Sequence, residues 1–126
     1  MLTYSQSSGE LRSASGFLLG KGYAGHGAGV NNPAMQTIPS VGPLPQGVYT
    51  IAAPVNTVTH GPYVMWLTPD ASNQMFGRYG FAIHGDEIAN VGKRLASQGC
   101  IVMGNAARVA IWTAAHADGC KLHVIV

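Results

Sequence analysis

The sequence predicts a mainly β domain with one short helix near the C-terminus, and three observations carry that expectation. Seventeen glycines and seven prolines in 126 residues cut the chain into short pieces. Several of those pieces collect β-branched and aromatic residues. A run of good or tolerable helix formers follows Asn105, and no comparable run precedes it.

Taken in chain order, residues 2–7 and 11–12 flank Ser8-Gly9-Glu10, a hairpin turn, and residues 16–23 supply the next strand. Residues 24–47 are rich in Gly, Pro and Asn with almost no periodicity. They read as a long loop, of a kind more often functional than accidental. Strand character resumes at 48–51, then at 55–59 and 63–67 on either side of His60-Gly61-Pro62. Residues 81–84 read as a buried strand ending in a polar group, and 101–103 and 122–126 as two more. Asn105 is placed to cap a helix over 106–116, with Ala107, Ile111 and Ala114 or Ala115 on its apolar face and Gly119 past its end. Trp66, Tyr79 and Trp112 are expected in the core.

Composition bounds the function. A chain of this length builds one core, so residues 1–126 are expected to form a single domain. With 47% hydrophobic and 10% charged residues it is not a disordered chain. Two cysteines are too few for a disulfide scaffold. The net charge of +2 is scattered, which argues against nucleic acid as a partner. Apolar runs such as Phe17-Leu18-Leu19 and Val64-Met65-Trp66-Leu67 are too short for membrane insertion. The N-terminus has no basic region followed by an apolar core, so no signal peptide is expected. Such a chain works in the cytosol, leaves by a route that ignores signal peptides, or has been trimmed.

The chemistry concentrates in Ile83-His84-Gly85-Asp86 and Ser97-Gln98-Gly99-Cys100-Ile101, with fifteen residues between His84 and Cys100. A cysteine becomes a useful nucleophile when a base takes its proton, and imidazole is poised to do so near neutral pH. His84 closes one apolar strand and Cys100 opens another, so neighbouring strands are expected to bring imidazole and thiol together at the sheet rim. The other ring nitrogen needs an acceptor, either the Gly85 carbonyl or the Asp86 carboxylate. Gly99 leaves room for substrate, and the Gly99 and Cys100 amides are expected to face a developing oxyanion. Cys120 lacks such a setting and reads as structural, although a Cys100–Cys120 disulfide would silence the nucleophile. None of the five histidines shows the short paired spacing of a zinc site, so no metal is expected, and His60, His116 and His123 are given no role.

At these residues the sequence resembles the L,D-transpeptidase (YkuD-like) catalytic domains, whose signature is a histidine, a spacer of about this length, and [Ser/Thr]-His-Gly-Cys. The segment Gly42-Pro43-Leu44-Pro45-Gln46-Gly47-Val48-Tyr49 is similar to a strand entry those domains carry. The whole chain more closely resembles the type VI secretion effectors with L,D-transpeptidase activity, in TYSQSSGEL, GYAGHGAGVNNPAMQ, GPLPQGVY, FAIHGD, SQGCIVM and KLHVIV. Gln98 departs from the broad family, which has a second histidine there, and Arg108 lies eight residues past the cysteine.

The resemblance implies a β-sandwich or barrel and a cofactor-free thiol acyl transfer on peptidoglycan tetrapeptide stems. Cys100 would attack the carbonyl between the L-centre at stem position three and the following D-alanine, with His84 as base. The acyl-enzyme would pass to water, giving L,D-carboxypeptidase activity, or to an amine such as a free D-amino acid. Arg108, in the first turn of the predicted helix where a cation is slightly unfavourable, is a candidate for the substrate carboxylate. Ser97 either stabilises the turn before the cysteine or contacts substrate, and His26 (between two glycines) and Asp86 are further substrate-side candidates. Such an effector would be made in the cytoplasm and act in the periplasm of target bacteria, with a secretion apparatus and a cognate immunity protein as partners. Two other classes stay open: a non-catalytic β domain binding cell wall or a partner, with Cys100 as packing, and a cytosolic thiol enzyme acting on another peptide substrate.

Overall fold

The computed structural model describes residues 1–89 and 91–126. Its strands are β1 (Leu2–Ser5), β2 (Glu10–Arg12), β3 (Leu18–Lys21), β4 (Tyr23–Ala24), β5 (Gly47–Ile51), β6 (Val55–Thr57), β7 (Gly61–Pro69), β8 (Phe81–His84), β9 (Ile101–Val102) and β10 (Lys121–Ile125). One helix, α1 (Asn105–Ala117), precedes the last strand. The architecture is the mainly β one expected, a nearly closed, barrel-like sheet in the order β3-β2-β1-β10-β5-β7-β8-β9-β4, with β6 added to β7. Its pairings are antiparallel except for β1 with β10 and β8 with β9.

The core follows the alternation of the strands. Leu2 and Tyr4 of β1, Tyr49 and Ile51 of β5, Met65 and Leu67 of β7, Ile83 of β8 and Leu122 and Val124 of β10 all point inward. The helix closes this core with Ile111 and Ala115, as its spacing predicted, and Ala107 and Trp112 pack at its margin. No helix among the described residues is long and apolar enough to cross a membrane.

Four local expectations are corrected. Residues 16–23 do not form one strand: the chain breaks at Gly22, where a Cβ would lie 1.8 Å from the Val102 carbonyl oxygen. That approach lets the chain leave β2 as β3 and reach β9 as β4, bringing the ends of the sheet together. β7 begins at Gly61 rather than Tyr63, because a register irregularity between Val55 and Thr57 accommodates Pro62 at the hairpin mouth. The helix cap is Gly104, not Asn105, which is already the first helical residue. Trp66 and Tyr79 are exposed rather than core, Tyr79 at 89%.

Candidate active site

Parallel pairing of β8 with β9 sets Ile83 beside Ile101 and His84 beside Val102. Ile83 and Ile101 face the main core, so by alternation Ala82, His84 and Cys100 share the opposite face. There Cys100 packs with Val64 and Ala82 in a small second apolar cluster. The strands thus hold the imidazole and the thiol on one face.

His84 is 4% exposed, and its Nδ1 lies 2.8 Å from the Gly85 carbonyl oxygen. A carbonyl only accepts, so Nδ1 carries the proton and Nε2 keeps a free lone pair. Of the two expected orienters, Gly85 takes the position. The Asp86 carboxylate turns the other way: Oδ1 accepts from the Tyr23 hydroxyl at 3.0 Å and from the Glu87 amide, and Oδ2 from the Gly92 amide at 2.9 Å. Tyr23 in turn accepts from the Ala96 amide, so the Tyr23–Asp86 pair organises the loop between β8 and β9. Burial pushes the pKa of His84 below the usual histidine value, against the raising effect of the Gly85 hydrogen bond.

The Cys100 thiol points toward the Gly80 carbonyl, 3.8 Å away. Burial raises its pKa, and the Ala82 amide, the Arg78 charge and its own amide offset only part of that rise. Desolvation therefore favours thiol and imidazole both neutral at rest. Cys100 and Cys120 are both free, the latter in the turn between α1 and β10.

Ser97 is the hub of the cysteine turn. Fully buried, its hydroxyl donates to the Cys100 carbonyl at 2.6 Å and accepts from the Gly25 amide at 2.9 Å and the Gly99 amide at 3.0 Å. This corrects the expectation for Gly99, whose amide is bonded to Ser97 instead of facing a substrate oxygen. The glycine is required for another reason: φ is +135° there, and a Cβ would lie 2.7 Å from both Arg78 Nη2 and Phe81 Cε1. Arg78, a residue that sequence reasoning missed, donates from Nη1 to the Gln36 and Pro43 carbonyls and from Nη2 to those of Gly42 and Gln98. Its one sequence signal is a lone cation among Gly77, Tyr79 and Gly80 directly before an apolar strand.

His84 and Cys100 open into a cleft of about 600 Å³ that also takes in His26, His60, Arg78 and Tyr79. His26 is thus brought to the site, but Ser97, Asp86 and Arg108 are not among its lining residues. Arg108 is 6% exposed, and its Nη1 donates to the carbonyls of Pro62 at 2.7 Å and Tyr63 at 3.1 Å. It also abuts Gly85, where a Cβ would meet Nη2 at 2.9 Å. The guanidinium expected on a substrate carboxylate instead bonds the start of β7 and lies beside the residue that orients His84. His60, given no role from sequence, lies with its ring centroid 5.0 Å from that of His84.

A search of curated proteins and a search of solved structures returned no match. The family model of the Tlde1 domain matches residues 20–125, a span from β3 to β10 that contains the whole cleft. The chain belongs to the Tlde1 domain family of type VI secretion effectors.

Proposed function

We propose that the protein is a cysteine-dependent acyl transferase acting on peptidoglycan tetrapeptide stems in the periplasm of target bacteria. The observation that carries this reading is the pairing, in one cleft, of the Cys100 thiol with an imidazole whose Nδ1 is fixed by the Gly85 carbonyl. His84 Nε2 takes the Sγ proton as the sulfur attacks the carbonyl between the L-centre at stem position three and D-alanine. Burial disfavours a standing thiolate–imidazolium pair, so proton transfer accompanies attack. The Cys100 amide remains as a candidate oxyanion donor, since the Gly99 amide is bonded to Ser97. His84 then returns the proton to the departing D-alanine amine, leaving a thioester on Cys100. Water resolves the thioester to a tripeptide, or the amine of a free D-amino acid replaces the lost residue.

Either outcome consumes tetrapeptide stems that end in D-alanine, which suits an injected antibacterial effector. The producing cell needs a periplasmic immunity protein that covers the cleft. Expression of the chain with a periplasmic targeting signal in a Gram-negative host tests the reading. The wild type is expected to arrest growth, and Cys100→Ala or His84→Ala, folded as judged by circular dichroism, is not. Equal toxicity of the wild type and Cys100→Ala would refute the proposal. Co-expression of the neighbouring gene product is expected to protect the host.

A further inference from the structure

Among the described residues, the His84 ring is held by one hydrogen bond, from Nδ1 to the Gly85 carbonyl. One bond at one end of a ring leaves the other end free to swing unless something packs against it. One ring packed against it is that of His60, in the turn of the β6–β7 hairpin, with ring centroids 5.0 Å apart and planes at 60°. His60 is itself fixed from several sides. Its Nδ1 lies 2.9 Å from the Thr59 hydroxyl, and its backbone amide donates to the Thr57 hydroxyl at 2.9 Å. Its ring meets the edge of Trp66 at 5.4 Å and 78°. A residue serving only as a hairpin turn needs no such fixing of its ring.

We propose that His60 is a positioning residue for the His84 base: its clamped ring is the wall that holds the His84 imidazole in place in the cleft it shares with Cys100. The proposal rests on the acyl-transfer reading of the cleft and names a residue that this reading does not use. The wall is braced at its base by Arg108, which grips the Pro62 and Tyr63 carbonyls just beyond His60.

The placement has an electrostatic consequence. The charged or titratable groups that act on His84 come from three elements: His60 in the hairpin, Arg108 on α1 and Asp86 in the loop after β8. His60 and Arg108 oppose the imidazolium and Asp86 favours it, while burial opposes it most. Removing His60 deletes one of the interactions that oppose the imidazolium, so the pKa of His84 rises.

Wild type, His60→Ala and His60→Phe are compared by turnover of a tetrapeptide muropeptide across pH and by NMR titration of the His84 ring. His60→Ala is expected to lower kcat about tenfold with KM changed less than about twofold, because misplacing the base affects the chemical step rather than binding. His60→Phe restores a ring wall and is expected to recover all but about threefold of the loss. The His84 titration midpoint is expected to move upward in both variants, since each removes the His60 ring that opposes the imidazolium. A His60→Ala enzyme with wild-type kcat, or with only KM raised, overturns the positioning role; so does an unshifted His84 titration. The titration needs no substrate, so the two proposals fail separately. If the wild type leaves the muropeptide untouched, the acyl-transfer reading fails. The upward shift of His84 then still supports its coupling to His60, and its absence removes that coupling.

Discussion

Replacing Ser97 with alanine separates two roles that sequence alone left open. If the hydroxyl touches substrate, its loss raises KM and leaves stability within about 0.5 kcal/mol, as for most residues outside special structural settings. The structure predicts the reverse. Ser97 is fully buried, and its removal strips a partner from the Cys100 carbonyl, the Gly25 amide and the Gly99 amide. An unsatisfied buried backbone group costs about 1–3 kcal/mol, so three of them sum to about 3–9 kcal/mol before relaxation. Relaxation or an entering water recovers part of this, and the lower end, about 3–4 kcal/mol, is the expected loss. At about 3–4 °C per kcal/mol for a chain of this size, Tm falls by about 10–15 °C. Urea unfolding followed by circular dichroism is expected to show a lower midpoint at unchanged slope. Turnover falls as well, because the same hydroxyl fixes the turn that carries the nucleophile. A Ser97→Ala variant with wild-type Tm and a raised KM would refute this reasoning and return Ser97 to substrate contact.

The same logic applies to Arg108. Arg108→Ala is expected to cost about 1.5–3 kcal/mol by removing charge-assisted hydrogen bonds to the Pro62 and Tyr63 carbonyls and to leave KM unchanged, while a raised KM with full stability would restore a substrate role. Arg78→Gln is expected to raise the thiol pKa further by removing the positive charge that holds it down, read as an upward move in the pH midpoint of iodoacetamide alkylation. An unmoved midpoint would show that the guanidinium does not act on the sulfur. The pH profile of kcat/KM follows from the two displaced groups. Protonating His84 ends activity on the acid side, and its lowered pKa carries activity below the usual histidine range. The alkaline limb belongs to the raised thiol, so the plateau is wide, and an acid limb at or above the usual histidine value would contradict the assignment.

Much of the fold was legible because it is written locally. The apolar run ending at His84 and the alanine-rich spacing from Ala107 to Ala115 need no partner to be recognised. The break at Gly22 was not legible, since its cause is the Val102 carbonyl, far away in sequence. Cys100 and His84 could be singled out because their chemistry is rare and their spacing specific. The roles of their neighbours were not legible where the deciding partner is a distant main-chain group. Ser97 is claimed by Gly25, Arg108 by Pro62 and Tyr63, and Arg78 by four carbonyls of the loops before and after it. Residue type alone cannot tell a guanidinium reserved for substrate from one spent on its own backbone. His60 was passed over for a similar reason: its ring contact with His84 arises only when the β6–β7 hairpin folds beside β8.

The most direct measurement of the central claim is mass spectrometry of purified tetrapeptide muropeptides incubated with the reduced protein, with and without added D-methionine, beside Cys100→Ala. The account predicts loss of the terminal D-alanine or its replacement by D-methionine in the wild type, neither in the variant, and a thioester mass trapped on Cys100 at short times. Unchanged muropeptides with folded, reduced wild-type protein, or equal conversion by Cys100→Ala, would contradict it.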